Sequence, residues 1–136
     1  MKKIIYDLGA NEGQNIPYYF HKSDLVVAVE ANPYLCNLLK KKFEKQILEK
    51  KLIVENLVVT NNESFVESFY ISKFGSQFST CRPEKNVLQI RDKTITKDDY
   101  LEKLINSINI LDLLKKHGHP HYIKIDLEHF DEIILN

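Results

Sequence analysis

The chain is poor in the residues that mark several classes of protein. Its 136 residues include only 4 glycines, 4 prolines and 2 cysteines. So little glycine and proline excludes a collagen-like or low-complexity chain. Cys36 and Cys81 stand far apart and form no CxxC pair, so we expect free thiols rather than a disulfide or a zinc site.

Long apolar runs and an excess of one charge are also absent. No run approaches the roughly 18 residues that a membrane-spanning helix needs, so we expect no membrane partner. The 19 basic residues balance 19 acidic ones, which disfavours a nucleic-acid partner because such binding neutralises many phosphates. Asp7 and Gly9 interrupt the first apolar run, so we expect no secretory leader and a cytoplasmic location. With 43% hydrophobic residues, the chain is expected to form a single domain over 1–136.

What is present is an alternation of apolar runs and helical patterns. The best-defined helix is capped by Asn32, has Pro33 in its first turn, and carries apolar residues at helical spacing as far as Ile47. The predicted elements, in chain order, are a strand at Lys3–Leu8, a helix within Asn11–Lys22, a strand at Leu25–Glu30, the helix from Asn32 to Ile47, strands at Leu52–Val59, Phe65–Ile71 and Val87–Ile95, a helix at Asp98–Lys116, a strand at His121–Leu127 and a helix from Asp131.

This order predicts an α/β, Rossmann-like three-layer sandwich with a mainly parallel sheet in the order 3-2-1-4 and a β-hairpin insertion after the third strand. The C-terminal strands of the full fold are missing from the prediction, so the domain is expected to be incomplete. An inner strand would then be exposed at Ile123–Leu127. We expect a second copy of the chain, or its own hairpin, to cover that edge.

Polar residues follow the first two strands, where α/β sheets bind their ligands. Asp7 ends the first strand, and Gly9 and Gly13 bracket the tight turn that follows. Glu30 ends the second strand, at roughly the 20-residue spacing at which an acid grips a ribose diol. Residues 11, 14 and 15 are Asn, Gln and Asn, so neither the dinucleotide fingerprint nor a P-loop fits. The pattern predicts a nucleoside cofactor without a phosphate cradle.

The carboxylate of Asp7 stands where a pyrophosphate would otherwise bind, and it would repel phosphate and attract a cation. S-adenosylmethionine satisfies this chemistry because it has an ammonium group, a sulfonium group, a free ribose diol and no phosphate. We therefore predict that Asp7 holds the ammonium group, directly or through water. Glu30 is predicted to accept both ribose hydroxyls.

Four blocks of sequence then occur in an order that one enzyme family shows. They are Asp-x-Gly-Ala-Asn-x-Gly at 7–13, a strand ending in Glu-x-Asn-Pro at 26–33, a hairpin segment at 65–73 and Lys-Ile-Asp-x-Glu at 124–128. Through these blocks the chain resembles the FkbM-type family of S-adenosylmethionine-dependent methyltransferases over nearly its whole length. The resemblance implies methyl transfer to an acceptor oxygen, or alternatively nitrogen, on a small-molecule or sugar-type partner.

The resemblance also implies a role for particular residues. Asp126 and Glu128 are expected to face the methyl group and the acceptor. Asp126 is one expected general base, and His129, which stands where the family has glycine, is the alternative. The residues implied around the cofactor are Asp7, Gly9, Ala10, Asn11, Gly13, Gln14, Glu30, Ala31, Asn32, Asn56, Leu57 and Asp126.

Other interpretations of the same residues stay open. A catalytically inactive methyltransferase-like domain with a binding or assembly role would keep the fold, and His129 favours it. An oxidoreductase is disfavoured by the missing glycines. The histidines between 117 and 121 lie in a segment broken by Gly118 and Pro120, so we expect solvent-facing side chains and no metal site.

Overall fold

The computed structural model describes residues 1–61, 65–73, 79, 89–90, 93–94 and 100–127. The elements in this part of the chain are β1 (Ile4–Leu8), α1 (Ile16–Phe20), β2 (Leu25–Val29), α2 (Pro33–Lys42), α3 (Glu44–Leu48), β3 (Leu52–Glu55), β4 (Val58–Thr60), β5 (Val66–Ser72), β6 (Gln89–Ile90), β7 (Lys93–Thr94), β8 (Tyr100–Asn109), α4 (Ile110–His117) and β9 (Pro120–Ile125). The longest of these helices has ten residues, too short to cross a membrane, and no other described helix qualifies as a span.

The main sheet has four parallel strands in the order β3-β2-β1-β9. The predicted order 3-2-1-4 is confirmed, with β9 as the fourth parallel strand. Every residue of β1 and β2 is buried, as central strands covered on both faces require. In the described part of the chain, β9 lies at one end of this sheet, and the expected cover over its edge stays a prediction.

Alternating side chains of β1 supply the cores on the two faces of the sheet. Ile5 packs with residues of α1 and α2, including Ile16 and Leu39. Tyr6 and its neighbours on the opposite face pack against Leu113 of α4. Helices on both faces give the predicted three-layer α/β sandwich, in which the carboxyl ends of the four strands share one edge.

Helix α2 begins as predicted. The side-chain oxygen of Asn32 accepts a hydrogen bond from the Tyr34 N–H at 3.0 Å, and Pro33 occupies the first turn. The helix does not run unbroken to Ile47, because Phe43 departs from helical geometry at φ −116° and ψ 28° and α3 begins at the next residue. Phe43 still contributes its buried ring to the core under α1.

The segment from Tyr100 to Asn109 corrects the predicted helix at Asp98–Lys116, because it forms the longest strand of the molecule's described part. Its leucines and isoleucines fit a helical spacing, yet seven consecutive residues pair with β5 in an antiparallel ladder. Tertiary pairing overrides local periodicity here. Asn109 is the N-cap of the short helix α4, since its side chain accepts a hydrogen bond from the Leu111 N–H at 2.8 Å.

The predicted strand Leu52–Val59 is two strands in two sheets. β3 belongs to the main sheet, whereas β4 pairs with β8 in a second, mixed sheet of order β4-β8-β5. The insertion after β3 is therefore a three-stranded sheet, in which β8 rather than Val87–Ile95 is the partner of β5. Within Val87–Ile95 the described residues form β6 and β7, which pair with each other. The predicted helix from Asp131 lies outside the described residues.

Candidate functional site

Backbone hydrogen bonds draw three loops together at the carboxyl ends of the main sheet. The N–H groups of Gly9 and Ala10 both donate to the Val29 carbonyl, at 2.8 and 3.1 Å, which ties the loop after β1 to the end of β2. On the other side, the Asp126 N–H donates to the Leu8 carbonyl at 2.9 Å. The polar residues predicted from three separate parts of the sequence therefore lie along one edge.

Glu30 joins the first two of these loops through its side chain. One carboxylate oxygen accepts a hydrogen bond from the Asn11 N–H at 2.9 Å, and the other accepts one from the Asn32 N–H at 2.7 Å. The residue is 7% exposed. Burial raises the pKa of its carboxyl group, and the two backbone N–H groups oppose that rise. Each carboxylate oxygen keeps a further lone pair, so the group can still accept a hydrogen bond from a ligand.

The side chains of Asn56 and Cys36 fix the backbone around Glu30. The amide nitrogen of Asn56 donates to the carbonyls of Glu30 and Ala31, at 3.0 and 2.8 Å. The thiol of Cys36 donates to the Glu30 carbonyl at 3.0 Å, and burial raises its pKa to about 12. Asn56, predicted near an adenine, therefore orders the loop that carries Glu30.

Asp7 is buried with its charge poorly compensated. The residue is 1% exposed, and within the described part of the chain neither carboxylate oxygen has a hydrogen-bond partner. Burial raises the pKa of this carboxyl group, and the positive charge of Lys124 works against that rise. The Lys124 ammonium lies 3.7 Å from Oδ1, which is longer than a hydrogen bond.

Lys124 is the residue of this site that sequence reasoning missed. It stands directly opposite Asp7 in the pairing of β1 with β9, and its side chain is 23% exposed. The signal available in the sequence was its position two residues before Asp126, which predicts a shared face of the strand. The register that sets it opposite Asp7 is not readable from the sequence.

The glycines of the first loop have two different structural reasons. Gly9 has φ +86°, and a side chain there would overlap the Asp126 carbonyl. Gly13 has φ +76°, and an added Cβ would lie 2.6 Å from Leu39 and 2.9 Å from Phe43. Gly9 thus permits the close approach of β1 and β9, whereas Gly13 packs against α2.

The remaining predicted site residues are spread around the same loops. Asn11 adopts a left-handed conformation at φ 55°, Asn32 is buried as the cap of α2, and Leu57 is half-buried against the core on the α4 side. Gln14 and Asp126 are exposed and Ala31 is half-buried. The predicted acceptor-side residues Glu128 and His129 lie outside the described residues.

One of the histidines expected to face solvent does not. The His117 side chain is 9% exposed, and its Nε2 lies 3.8 Å from Glu55 Oε1. Burial lowers its pKa, against the opposing charge of Glu55. Glu55 is already paired with the Lys116 ammonium at 3.0 Å. Across the stretches that the structure describes, no group of three potential metal ligands comes together.

A groove of about 660 Å³ lies away from these residues. Phe20 and Phe43 contribute aromatic rings to it, and Ser23, Asp24 and Lys51 contribute polar groups. Because these polar residues directly precede β2 and β3, the groove is at the amino ends of the strands. It is therefore separate from the edge that carries Asp7 and Glu30.

The family model described as the Methyltransferase FkbM domain matches residues 7–136. The chain belongs to the FkbM methyltransferase family. The match begins at Asp7 and includes every loop of the candidate site, and membership supports a methyltransferase function. No curated protein and no solved structure matches the chain significantly.

The residues at this edge of the FkbM domain fit the cofactor that methyltransferases generally use. The unpaired oxygens of Asp7 are complementary to a cationic group, and Glu30 offers buried acceptor sites to a diol. Asp7 and Glu30 are held by the fold before any ligand arrives, which limits the conformational entropy that binding would lose.

The poorly compensated charge of Asp7 predicts an unusual response to Asp7→Asn. The pKa of Asp7 in the folded state lies above its ordinary value of 3.8. Ionisation of Asp7 therefore lowers the free energy of unfolding as the pH rises from 3.8 through the folded-state pKa. The difference in free energy of unfolding, variant minus parent, should therefore increase with pH across this range. At neutral pH we expect the variant to be the more stable protein, because the amide puts no charge into the buried site.

Urea unfolding at acidic and neutral pH measures this difference. The matched control is Glu12→Gln, which makes the corresponding loss of a carboxylate at an exposed position in the same loop. A variant that loses stability at neutral pH would contradict the prediction that the buried charge of Asp7 destabilises the free protein.

Proposed function

We propose that this FkbM domain binds S-adenosylmethionine at the carboxyl ends of β1 and β2 and methylates a hydroxyl group of a small molecule or sugar. The observation that carries the proposal is the placement of Asp7 and Glu30. Two buried carboxylates flank the Gly9 turn. Asp7 has no hydrogen-bond partner among the described residues, and Glu30 accepts hydrogen bonds from two backbone N–H groups.

In this proposal Asp7 attracts the ammonium group of the cofactor, and Glu30 accepts hydrogen bonds from the ribose hydroxyls. The cofactor, when bound, supplies an electrophilic methyl group. The chain's main contribution to rate is to hold the acceptor oxygen in line with that group. The proposal assigns Asp126, which is exposed at the end of β9, to take the proton of an acceptor hydroxyl, with Glu128 and His129 as the other proposed acceptor-side residues.

Thermal unfolding with S-adenosylmethionine or S-adenosylhomocysteine tests binding. At a ligand concentration of about 100 times Kd, the parent should gain about 2.7 kcal/mol. Asp7→Asn should lose this gain while remaining folded, and Glu12→Gln should keep it. Failure of both ligands to stabilise the parent protein would refute the proposed cofactor.

Transfer of a labelled methyl group to a panel of sugars and small alcohols tests the reaction. We expect transfer to a hydroxyl acceptor, and in Asp126→Asn a loss of transfer that exceeds any loss of cofactor affinity measured in parallel. Binding without transfer to any acceptor would instead support the catalytically inactive domain.

A further inference from the structure

The proposed function does not explain what compensates the buried charge of Asp7 when no ligand is bound. A carboxylate that is 1% exposed and accepts no hydrogen bond from the residues that the structure describes is costly to keep ionised unless a charge compensates it. The cofactor would bring such a charge only when it binds. In the free protein, the group that faces Asp7 from the neighbouring strand is the Lys124 ammonium.

The geometry makes Lys124 a loose partner rather than a fixed one. Its backbone is anchored opposite Asp7 by the parallel pairing of β1 and β9, while the ammonium stops 3.7 Å from Oδ1 and the side chain is 23% exposed. Lysine carries a compact charge on a flexible stem, which can turn into solvent. The ion pair is thus close enough to compensate charge and open enough to separate.

The other charged or titratable groups around Asp7 leave no second cation in the described part of the chain. Asp126 lies beyond Lys124 and its charge raises the pKa of Asp7. Glu30 interacts with Asp7 from the loop after β2, and Tyr19 interacts with it from α1. A ligand cation that reached Asp7 would therefore have to share it with Lys124 or replace it.

We propose that Lys124 is the counter-ion of Asp7 in the free protein, and that a cationic ligand group binds Asp7 by displacing the Lys124 ammonium. The inference rests on the proposed function for the identity of that ligand. Two cations on one buried carboxylate repel each other, so Lys124 turns outward as the ligand enters. Asp126, which is exposed and directly follows the end of β9, offers the released ammonium a new partner.

This exchange makes Lys124 a specificity-determining residue. A neutral ligand would leave the Asp7–Lys124 pair intact and gain nothing from Asp7. A ligand with an ammonium group gains an ion pair with Asp7 but must first break the existing one. Removing the Lys124 charge should therefore favour cationic ligands and leave neutral ligands unaffected.

The test uses Lys124→Met, which keeps a similar chain length without the charge, and Lys115→Met, an exposed lysine of α4, as control. Calorimetry measures the Kd of S-adenosylhomocysteine, which carries the ammonium group, and of methylthioadenosine, which lacks it. In Lys124→Met we expect the first ligand to bind about tenfold more tightly and the second to be unchanged. Weaker or unchanged binding of S-adenosylhomocysteine would overturn the inference.

A second measurement needs no ligand and separates this inference from the proposed function. Without Lys124 the pKa of Asp7 should rise further, so the Tm of Lys124→Met should fall by about 5 °C or more at neutral pH and little at pH below 3.8. An unchanged Tm at neutral pH would show that Lys124 is no counter-ion. Absence of binding by the parent to either ligand, with this Tm loss present, would refute the proposed cofactor alone.

Discussion

Gly9→Ala is expected to destabilise the domain by about 4 kcal/mol, because a backbone strain and a steric overlap add to each other. The residue has φ +86°, and its new Cβ would overlap the backbone carbonyl of Asp126. A positive φ costs a residue with a side chain about 1–2 kcal/mol. The overlap adds more, because a backbone carbonyl at the end of a paired strand cannot rotate away as a side chain can.

The structural change caused by Gly9→Ala should begin locally, at the carboxyl end of β9. β9 would have to withdraw from β1 near its carboxyl end, which breaks the bond from the Asp126 N–H to the Leu8 carbonyl. Chemical denaturation gives the loss in free energy of unfolding, and hydrogen exchange of the Asp126 amide reports the local separation.

Gly13→Ala is the matched comparison for this prediction. It has a similar backbone strain at φ +76°, but its Cβ would meet the ends of the Leu39 and Phe43 side chains, which can shift. We expect it to cost about 2 kcal/mol less than Gly9→Ala and to leave the Asp126 amide protected. Equal losses in the two variants would mean that the approach of β9 is not what requires glycine at position 9.

The parallel core of the fold is readable from the sequence because its signal is local. β1 and β2 are short apolar runs, and the Asn32-Pro33 pair marks the start of α2 through a hydrogen bond within three residues. Right-handed crossovers then leave few topologies for the chain. The order 3-2-1-4 follows from these features without knowledge of any long-range contact.

The inserted sheet is not readable in the same way, because its signal is non-local. The leucines and isoleucines of β8 have a helical spacing, and only pairing with β5, a distant strand earlier in the chain, makes them a strand. The break between β3 and β4 likewise depends on Asn56, whose side chain is needed at the Glu30 loop. Sequence periodicity carries no information about such partners.

In the candidate site, too, some residues are predictable from local sequence and one is not. Asp7, Gly9 and Glu30 were identifiable because each lies at or just after the end of a recognisable strand. Lys124 was not, because its relation to Asp7 is a matter of register between β1 and β9. The sequence pattern also does not show that the two glycines have different structural reasons. A side chain at Gly9 would overlap a neighbouring backbone, whereas one at Gly13 would crowd packed side chains.

Glu30→Gln is expected to destabilise the free protein by about 2 kcal/mol, although the two side chains have the same shape. The carboxylate accepts hydrogen bonds from two backbone N–H groups, those of Asn11 and Asn32, through different oxygens. A carboxamide has one oxygen, so its NH₂ group would face one of these N–H donors. That buried N–H would be left without a partner, which accounts for the loss.

Urea unfolding without ligand measures the loss, and faster hydrogen exchange at the Asn11 or Asn32 amide would locate it. The control Glu12→Gln makes the same chemical change at an exposed position and should leave stability within about 0.5 kcal/mol. If Glu30→Gln unfolds like the parent, Glu30 does not brace the loops. If it loses stability as expected, the loss of ligand binding in this variant has two causes, a missing acceptor and a displaced loop. Asp7→Asn, which is expected to gain stability while losing the ligand, is therefore the cleaner probe of the cofactor site.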